Sequence, residues 1–151
     1  MRVSAKTDYA VRATVELAAS ADGPVKGEQL SEAQDIPLQF LEHILLDLKR
    51  AGIVRARRGA RGGYWLARPA DQVNLAEVIR AVEGPIAHVQ SAPPESISYR
   101  GSAEGLQRVW IAVRASLREV LENVTLAEVA SGELPEEVTR LAGSRDAWQP
   151  R

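Results

Sequence analysis

The sequence predicts a mainly α-helical chain that carries one small β-hairpin, an α+β fold. Apolar residues recur at helical spacing over most of the 151 residues, and strand-forming residues are confined to one short region. Ser, Thr and Asn stand where several of the helices would begin. With 45% apolar and 26% charged residues, the composition is that of a protein with a buried core. The length suits one core domain with an appendage.

The chain begins with two predicted helices. Residues 4–20 bring alanine and leucine side chains to one face, and Ser4 or Thr7 can cap the first turn. The stretch "ADGP" at 21–24 ends this helix. The following stretch, "KGEQLSEAQ", predicts a short second helix.

A third helix is predicted from about Pro37 to Ala51. In the break "DIP" that precedes it, Asp35 can cap the helix and Pro37 can occupy its first turn. Gly52 is expected to end the helix in a left-handed conformation. One stripe of leucines should be buried: Leu38, Leu41, Leu45 and Leu48. The other faces should meet solvent or a ligand, and they carry Gln39, Glu42, His43 and Arg50.

The strand-forming region predicts a β-hairpin with a glycine-rich, arginine-tipped turn. Its strands are "IVRAR" and "GGYWLAR", and "RGARGG" at 58–63 stands between them. Residues 55–69 hold five arginines and three glycines and no acidic residue.

The second half of the chain predicts helices that flank a loop. Asn74 caps "LAEVIRAVEG", which ends at Gly84. Residues 85–102 lack periodicity and contain a Pro-Pro pair, so a loop is expected. A long helix follows at about 103–123, and Thr125 caps a last short helix, "LAEVASG".

Positive charge is concentrated in one segment although the formal net charge is only -1. From residue 49 to residue 68 there are seven basic and no acidic side chains, whereas the later part of the chain is rich in glutamate. Such a run can be a solvated surface loop, or it can bind an anionic partner. The order of the elements favours the second interpretation.

Several classes of protein are disfavoured. Cysteine is absent, which excludes disulfides and thiolate metal sites. The first residues lack a hydrophobic signal core, and apolar runs are short, so we expect a cytoplasmic protein without a membrane span. No nucleophile-base pair, His-Glu metal motif or phosphate loop occurs, so we expect no enzyme. A metal site at His88 with Glu95 or Glu104 has no supporting ligand spacing.

Two helices joined by a tight break and followed by a basic hairpin are typical of a winged helix-turn-helix. In that arrangement the second helix enters the major groove of double-stranded DNA and the hairpin lies along the backbone or in a minor groove. Guanidinium groups suit phosphates, and Gly62 and Gly63 would let the turn approach them closely.

Several motifs resemble one family in the same order. They are "MRVSAKTDYAVRA", "IPLQFLEHILLDLKRAGIV", "RGARGGYWLARPADQVNLAEVIRAVEG" and "NVTLAEV". On these the chain is identified as a cysteine-free member of the Rrf-two family of bacterial transcription regulators. The resemblance covers nearly the whole chain.

The resemblance implies which residues would face DNA. From the third helix these are Pro37, Gln39, Phe40, Glu42 and His43. From the wing they are Arg55, Arg57, Arg58, Arg61, Gly62 and Gly63, with Arg58 at the position that relatives insert into a minor groove. Independently, Gln39 can pair with adenine and Glu42 can accept from cytosine. Phe40 is equally compatible with a thymine methyl contact or a core position. For His43 the residue type favours a plain surface position over base contact.

Some relatives hold an iron–sulfur cluster through three cysteines in the loop after the fourth helix. The equivalent segment here, between Pro85 and Gly105, has none, so no cofactor is expected. The signal could instead be a small-molecule effector or a partner protein.

The long helix carries a broad apolar stripe: Leu106, Val109, Trp110, Val113, Leu117, Val120 and Leu121. The resemblance implies a homodimer formed by pairing this helix with its twin, although the stripe could also close the core of a monomer. A twofold dimer would require a palindromic operator.

The expected function is sequence-specific DNA binding, most simply as a dimeric repressor. A winged helix that binds protein, or a regulator whose DNA binding depends on a partner protein, is the alternative. The expected division is a DNA-binding domain at 1–84, an effector loop at 85–102, dimerisation and C-terminal helices at 103–142, and a flexible tail at 143–151.

Overall fold

The computed structural model describes residues 2–20 and 22–150, and the predicted helices and hairpin are present in it. The helices are α1 (Ala5–Ala19), α2 (Gly27–Gln34), α3 (Leu38–Arg50), α4 (Leu75–Glu83), α5 (Leu106–Leu121), α6 (Leu126–Ser131) and α7 (Glu136–Ala142). The strands are β1 (Val54–Arg57) and β2 (Gly63–Leu66). Short 3₁₀ turns lie at Ala70–Gln72, Pro94–Ser96, Gly101–Ala103 and Arg145–Trp148.

Side-chain caps fix the starts of three helices. Ser4 accepts a hydrogen bond from the backbone of Thr7 at the start of α1. Asn74 and Thr125 each form a capping box with the glutamate three residues later, at the starts of α4 and α6. Each cap satisfies backbone donors that the first helical turn cannot pair internally.

The break between α2 and α3 differs from the prediction. Asp35 does not cap α3; it adopts a left-handed conformation with φ 49° and closes α2. Pro37 takes the cap position of α3 and makes no side-chain cap hydrogen bond. The difference arises because Ile36 is buried. Burying Ile36 places Asp35 at the end of the preceding helix, two residues ahead of the α3 cap position.

The core lies where α1 meets α3, α4 and α6. On α3 the buried residues are Leu41, Ile44, Leu45 and Leu48, whereas Leu38 is half-buried. Three of the four predicted leucines are thus buried, and Ile44 is buried in addition. Gly52 follows α3 with φ 74°, as predicted.

The hairpin is held to the body by a single β-bridge. β1 and β2 are antiparallel, with Arg55 opposite Trp65 and Ala56 opposite Tyr64. The backbone of Tyr64 also exchanges two hydrogen bonds with Val25, at 2.8 and 2.9 Å. This contact ties the wing to the segment that precedes α2.

Gly63 is the glycine on which this attachment depends. Its φ is +144°, and an added Cβ would lie 2.7 Å from the carbonyl oxygen of Val25. We expect Gly63→Ala to lower the free energy of unfolding by about 2 kcal/mol or more, because both backbone strain and the clash oppose it. Urea denaturation measures this.

Gly105→Ala is the matched control, since nothing lies within 4 Å of the added Cβ and φ is -66°. It should change stability by less than about 0.5 kcal/mol. Equal effects of the two substitutions would contradict the role assigned to Gly63.

The C-terminal part contains more structure than the sequence predicted. Helix α7 and the turn at Arg145–Trp148 lie where no helix and a frayed tail were expected. The indole of Trp148 donates to the carbonyl of Ala142 at 2.6 Å, so most of the predicted tail folds back on α7. Arg151 lies outside the described residues.

Candidate nucleic-acid interface

The outward side of α3 is polar and exposed. Gln39, Glu42 and His43 all reach solvent, and the His43 ring nitrogen Nδ1 lies 3.1 Å from the carbonyl oxygen of Gln39. Phe40 is 63% exposed, which excludes the core position that its sequence context left open. Pro37 is exposed at the N-terminal end of the same helix. The five predicted residues of this helix therefore lie on accessible surface.

The wing presents its arginines to solvent. Arg55, Arg57, Arg58 and Arg61 are exposed, and the Arg57 guanidinium donates to the carbonyl of Arg61 at 2.9 Å across the turn. No ion pair involves these four side chains in the described part of the chain. Their charge is available to an external anion.

Gly62 and Gly63 have a different role from the predicted one. Both are buried, and a Cβ on Gly62 would meet the carbonyl oxygen of Arg57 at 2.0 Å. They pack against the chain itself, so they shape the hairpin and do not offer an open backbone to phosphates. The open glycine of the turn is Gly59, with φ +99° and no atom within 4 Å of an added Cβ.

A groove of about 530 Å³ runs between α3 and the wing. Glu42 lines it from α3, Arg58 and Tyr64 from the wing, and Lys26 and Lys49 from its ends. Two elements that the sequence assigned to DNA therefore share one surface depression.

Lys26 is a member of this surface that the sequence analysis missed. It precedes α2, and its ammonium group donates to the carbonyl of Gly59 at the wing tip. It stands outside the basic run, so charge counting along the chain gave no signal. Lys49 was counted in that run and lines the groove from the end of α3.

Helix α5 is not part of the core. No residue on it is fully buried, and Val109 is 51% exposed. The other predicted members of its stripe, Leu106, Trp110, Val113, Leu117, Val120 and Leu121, are half-buried. Six of the seven stripe residues are thus partly covered within one chain, and Val109 is the member left exposed.

The segment before α5 is held to it by polar contacts. The Gln107 side-chain amide donates to the carbonyl of Ile97 at 2.7 Å, and Arg114 pairs with Glu95 at 2.6 Å. The backbone of Glu95 and then this guanidinium lower the pKa of the carboxyl group. In the described part of the chain, no three His, Asp or Glu side chains come together as metal ligands.

The same residues, 2–20 and 22–150, include no helix with both the length and the apolar character that a bilayer span requires.

The comparisons with known proteins agree with one another. Residues 3–132 match the Rrf2 family model, described as an iron-dependent transcriptional regulator. A Mycobacterium tuberculosis H37Rv protein, provisionally named HTH-type transcriptional regulator Rv1287, is 50% identical over 143 residues, which cover 94% of this chain and 89% of that protein. IscR of Cereibacter sphaeroides is 35% identical over 139 residues, covering 89% and 90% of the two chains.

Solved structures are also similar. CymR, the global cysteine regulator of Bacillus subtilis, superposes with a TM-score of 0.74 at 30% identity, covering 87% of this chain and 98% of that one. IscR of T. potens gives a TM-score of 0.71 at 30% identity, covering 100% and 93%. These matches confirm the predicted winged-helix fold.

The side chains available as metal ligands in this chain do not fit the iron that the family description names. Iron–sulfur clusters are held by cysteine thiolates, with histidine replacing some of them in certain proteins, and this sequence contains no cysteine. Glu95, one of the few carboxylates in the equivalent segment, is paired with Arg114.

The sequence predicted a regulator and not an enzyme, and these homologues confirm that prediction. Sequence, fold and the arrangement of α3 and the wing lead to one conclusion: the chain belongs to the Rrf2 family of transcriptional regulators.

Proposed function

We propose that this protein is a cytoplasmic, dimeric repressor that binds a palindromic operator in double-stranded DNA without an iron–sulfur cluster. The main support is the groove between α3 and the wing, where the exposed carboxylate of Glu42 and the guanidinium groups of Arg57 and Arg58 line one surface. Phosphate contacts by the arginines would set affinity and position, while α3 would read sequence.

Sequence reading is assigned to the N-terminal half of α3. Gln39 has the donor and acceptor to pair with adenine, and Glu42 can accept from the cytosine amino group. The exposed Phe40 ring suits contact with a thymine methyl group. The wing arginines, with Arg58 in a minor groove, and the ammonium groups of Lys26 and Lys49 would contact the backbone on either side.

Dimerisation is assigned to α5. No residue of the helix is fully buried, Val109 of its apolar stripe is 51% exposed, and the buried indole nitrogen of Trp110 has no hydrogen-bond partner in the described chain. Packing against a second copy would bury the stripe and place two recognition helices about one DNA turn apart. Two copies on a palindrome also gain avidity that one copy lacks.

Selection from a random duplex library tests this proposal. The purified full chain is incubated with the library, bound duplexes are recovered over several rounds, and the pool is sequenced. The expected product is an inverted repeat whose half-sites are centred about one helical turn apart. Recovery of no motif would contradict a sequence-specific regulator, and would favour a winged helix that binds protein or needs a partner protein.

Glu42→Ala should change specificity more than affinity. The loss of a carboxylate that accepts from cytosine should reduce discrimination at one base pair by about 1–3 kcal/mol. Repeating the selection with this variant should show one relaxed position in each half-site. A preserved preference at every position would show that Glu42 does not read a base.

A further inference from the structure

A cavity of about 600 Å³ lies on the side of the molecule where α1 begins and α4 ends. Its lining includes Arg2 and Val3 before α1, Glu83 and His88 at and after the end of α4, and Leu117 and Leu121 of α5. Small-molecule sites commonly have volumes in the range of roughly 300–1,000 Å³. The cavity thus has the size of a ligand site, and it is separate from the groove of α3 and the wing.

The lining is aliphatic with opposite charges at the rim. Ile79, Ile86, Leu117 and Leu121 supply apolar wall, and Ile86 is buried. Arg2 and Glu83 are both exposed, and in the described part of the chain Arg2 has no carboxylate within ion-pair distance. Glu83 accepts from the neutral hydroxyl of Ser4, and within residues 2–20 and 22–150 no cation lies at ion-pair distance from its carboxylate.

We propose that this cavity binds an α-amino acid with an aliphatic side chain and that this ligand is the effector of the regulator. The ligand carboxylate would pair with Arg2 and its ammonium group with Glu83, while the side chain would contact the isoleucine and leucine wall. Only the statement that the ligand acts as an effector rests on the proposed function. Binding itself is independent of DNA.

The charge pattern selects this class over simpler ligands. A fatty acid or other monocarboxylate would satisfy Arg2 and leave Glu83 beside an apolar group. An amine without a carboxylate would pair with Glu83 and leave Arg2 beside an apolar group. A zwitterion with an apolar side chain pairs both charges, and leaving either unpaired on binding is unfavourable.

A short polar path joins the cavity to α3. Lys6 follows the cavity residue Ser4 by two positions in the sequence. Its ammonium group donates to the carbonyl of Val82 at 2.8 Å, and Val82 directly precedes Glu83. The same group pairs with Asp47 of α3 at 2.9 Å. The hydrogen bond from Lys6 is the main reason that the pKa of Asp47 lies below its usual value.

Lys6 is therefore a positioning residue in this proposal. A ligand that draws Glu83 toward itself shifts the end of α4, and the shift reaches α3 through the contacts of Lys6 with Val82 and Asp47. Coupling of this kind requires that the ligand bind one arrangement of α4 and α3 better than the other.

Isothermal titration calorimetry of the full chain tests the site without DNA. The probes are L-valine, L-leucine, L-isoleucine and L-methionine, with 4-methylpentanoate and 3-methylbutylamine as leucine analogues that lack one charge. We expect at least one amino acid to bind, and both analogues to bind at least about tenfold more weakly. No binding by any of the four amino acids would overturn the inference and leave the DNA proposal standing.

Variants locate the binding. Glu83→Gln and Arg2→Gln should each weaken amino-acid binding about tenfold or more, because each removes one charge partner. Glu133→Gln and Arg145→Gln, which are exposed and distant in sequence from the cavity, should leave it unchanged. Equal affinity in all four variants would overturn this site.

Coupling is measured as the ratio of operator dissociation constants with and without saturating amino acid. We expect a ratio of about fivefold or more in the unmodified protein. Lys6→Met should bring the ratio close to one while calorimetry still detects the amino acid, and Lys6→Arg should restore part of it. Arg140→Met, which removes the ion pair with Glu137 within α7, should keep the full ratio. A full ratio in Lys6→Met would contradict the proposed path.

Discussion

Charge reversal at the wing, Arg58→Glu, is expected to weaken operator binding about 100-fold or more at moderate salt. Arg58 is exposed at the turn and lines the groove that it shares with Glu42 of α3. A carboxylate there would repel phosphates, and a dimer would carry the change twice. Fluorescence anisotropy with a labelled operator duplex measures the loss.

The matched control is Arg145→Glu, an exposed arginine in the C-terminal 3₁₀ turn. It changes the net charge equally and should leave the dissociation constant within about twofold of the original, because it is outside the interface. Circular dichroism should give both variants the unmodified helix content. Unchanged operator binding by a folded Arg58→Glu protein would show that the wing does not contact DNA.

Val109→Asp is expected to convert the proposed dimer into a monomer. Val109 is half exposed in the single chain, and packing of α5 against a second α5 would bury it. An unpaired carboxylate in that interface would carry a large desolvation cost. Sedimentation velocity at micromolar concentration should show the mass fall from two chains to one.

Operator binding should fall with the dimer. Linked half-sites gain roughly 100-fold to 10,000-fold in apparent affinity over single ones, and a monomer forfeits this gain. Leu141→Asp in α7 is the control, since Leu141 is 44% exposed and stands outside the stripe. A Val109→Asp protein that stays dimeric would place the interface elsewhere.

Elements with strong local signals were predictable from the sequence. Ser4, Asn74 and Thr125 each cap the helix that the pattern assigned to them, because a cap needs only a side-chain oxygen and the next turn of backbone. The wing arginines were predictable for a similar reason. A run of like charge is unfavourable in a core, so it must reach solvent.

Features set by distant contacts were not predictable. The close packing of Gly63 depends on Val25, nearly forty residues earlier in the chain. Lys26 lines the groove for the same reason, since the segment before α2 pairs with β2. Phe40 is ambiguous in sequence because one step along a helix turns a side chain by about 100°, enough to move it from the core to the surface.

The C-terminal region shows a third kind of limit. Residues 136–142 form a helix although none of their side chains is buried. The sequence therefore contains no apolar stripe that would predict this helix. Its order comes from local contacts such as the Arg140 and Glu137 pair and the indole of Trp148 on Ala142. Periodicity detects helices that face a core, and α7 does not.

The central proposal is sequence-specific binding of DNA by a dimer, and one titration tests it most directly. Fluorescence anisotropy compares the selected palindrome with a scrambled duplex of the same length at two salt concentrations. We expect the palindrome to bind at least about 1,000-fold more tightly, with both affinities falling steeply as salt rises. Equal, weak binding of the two duplexes at both salt concentrations would contradict it.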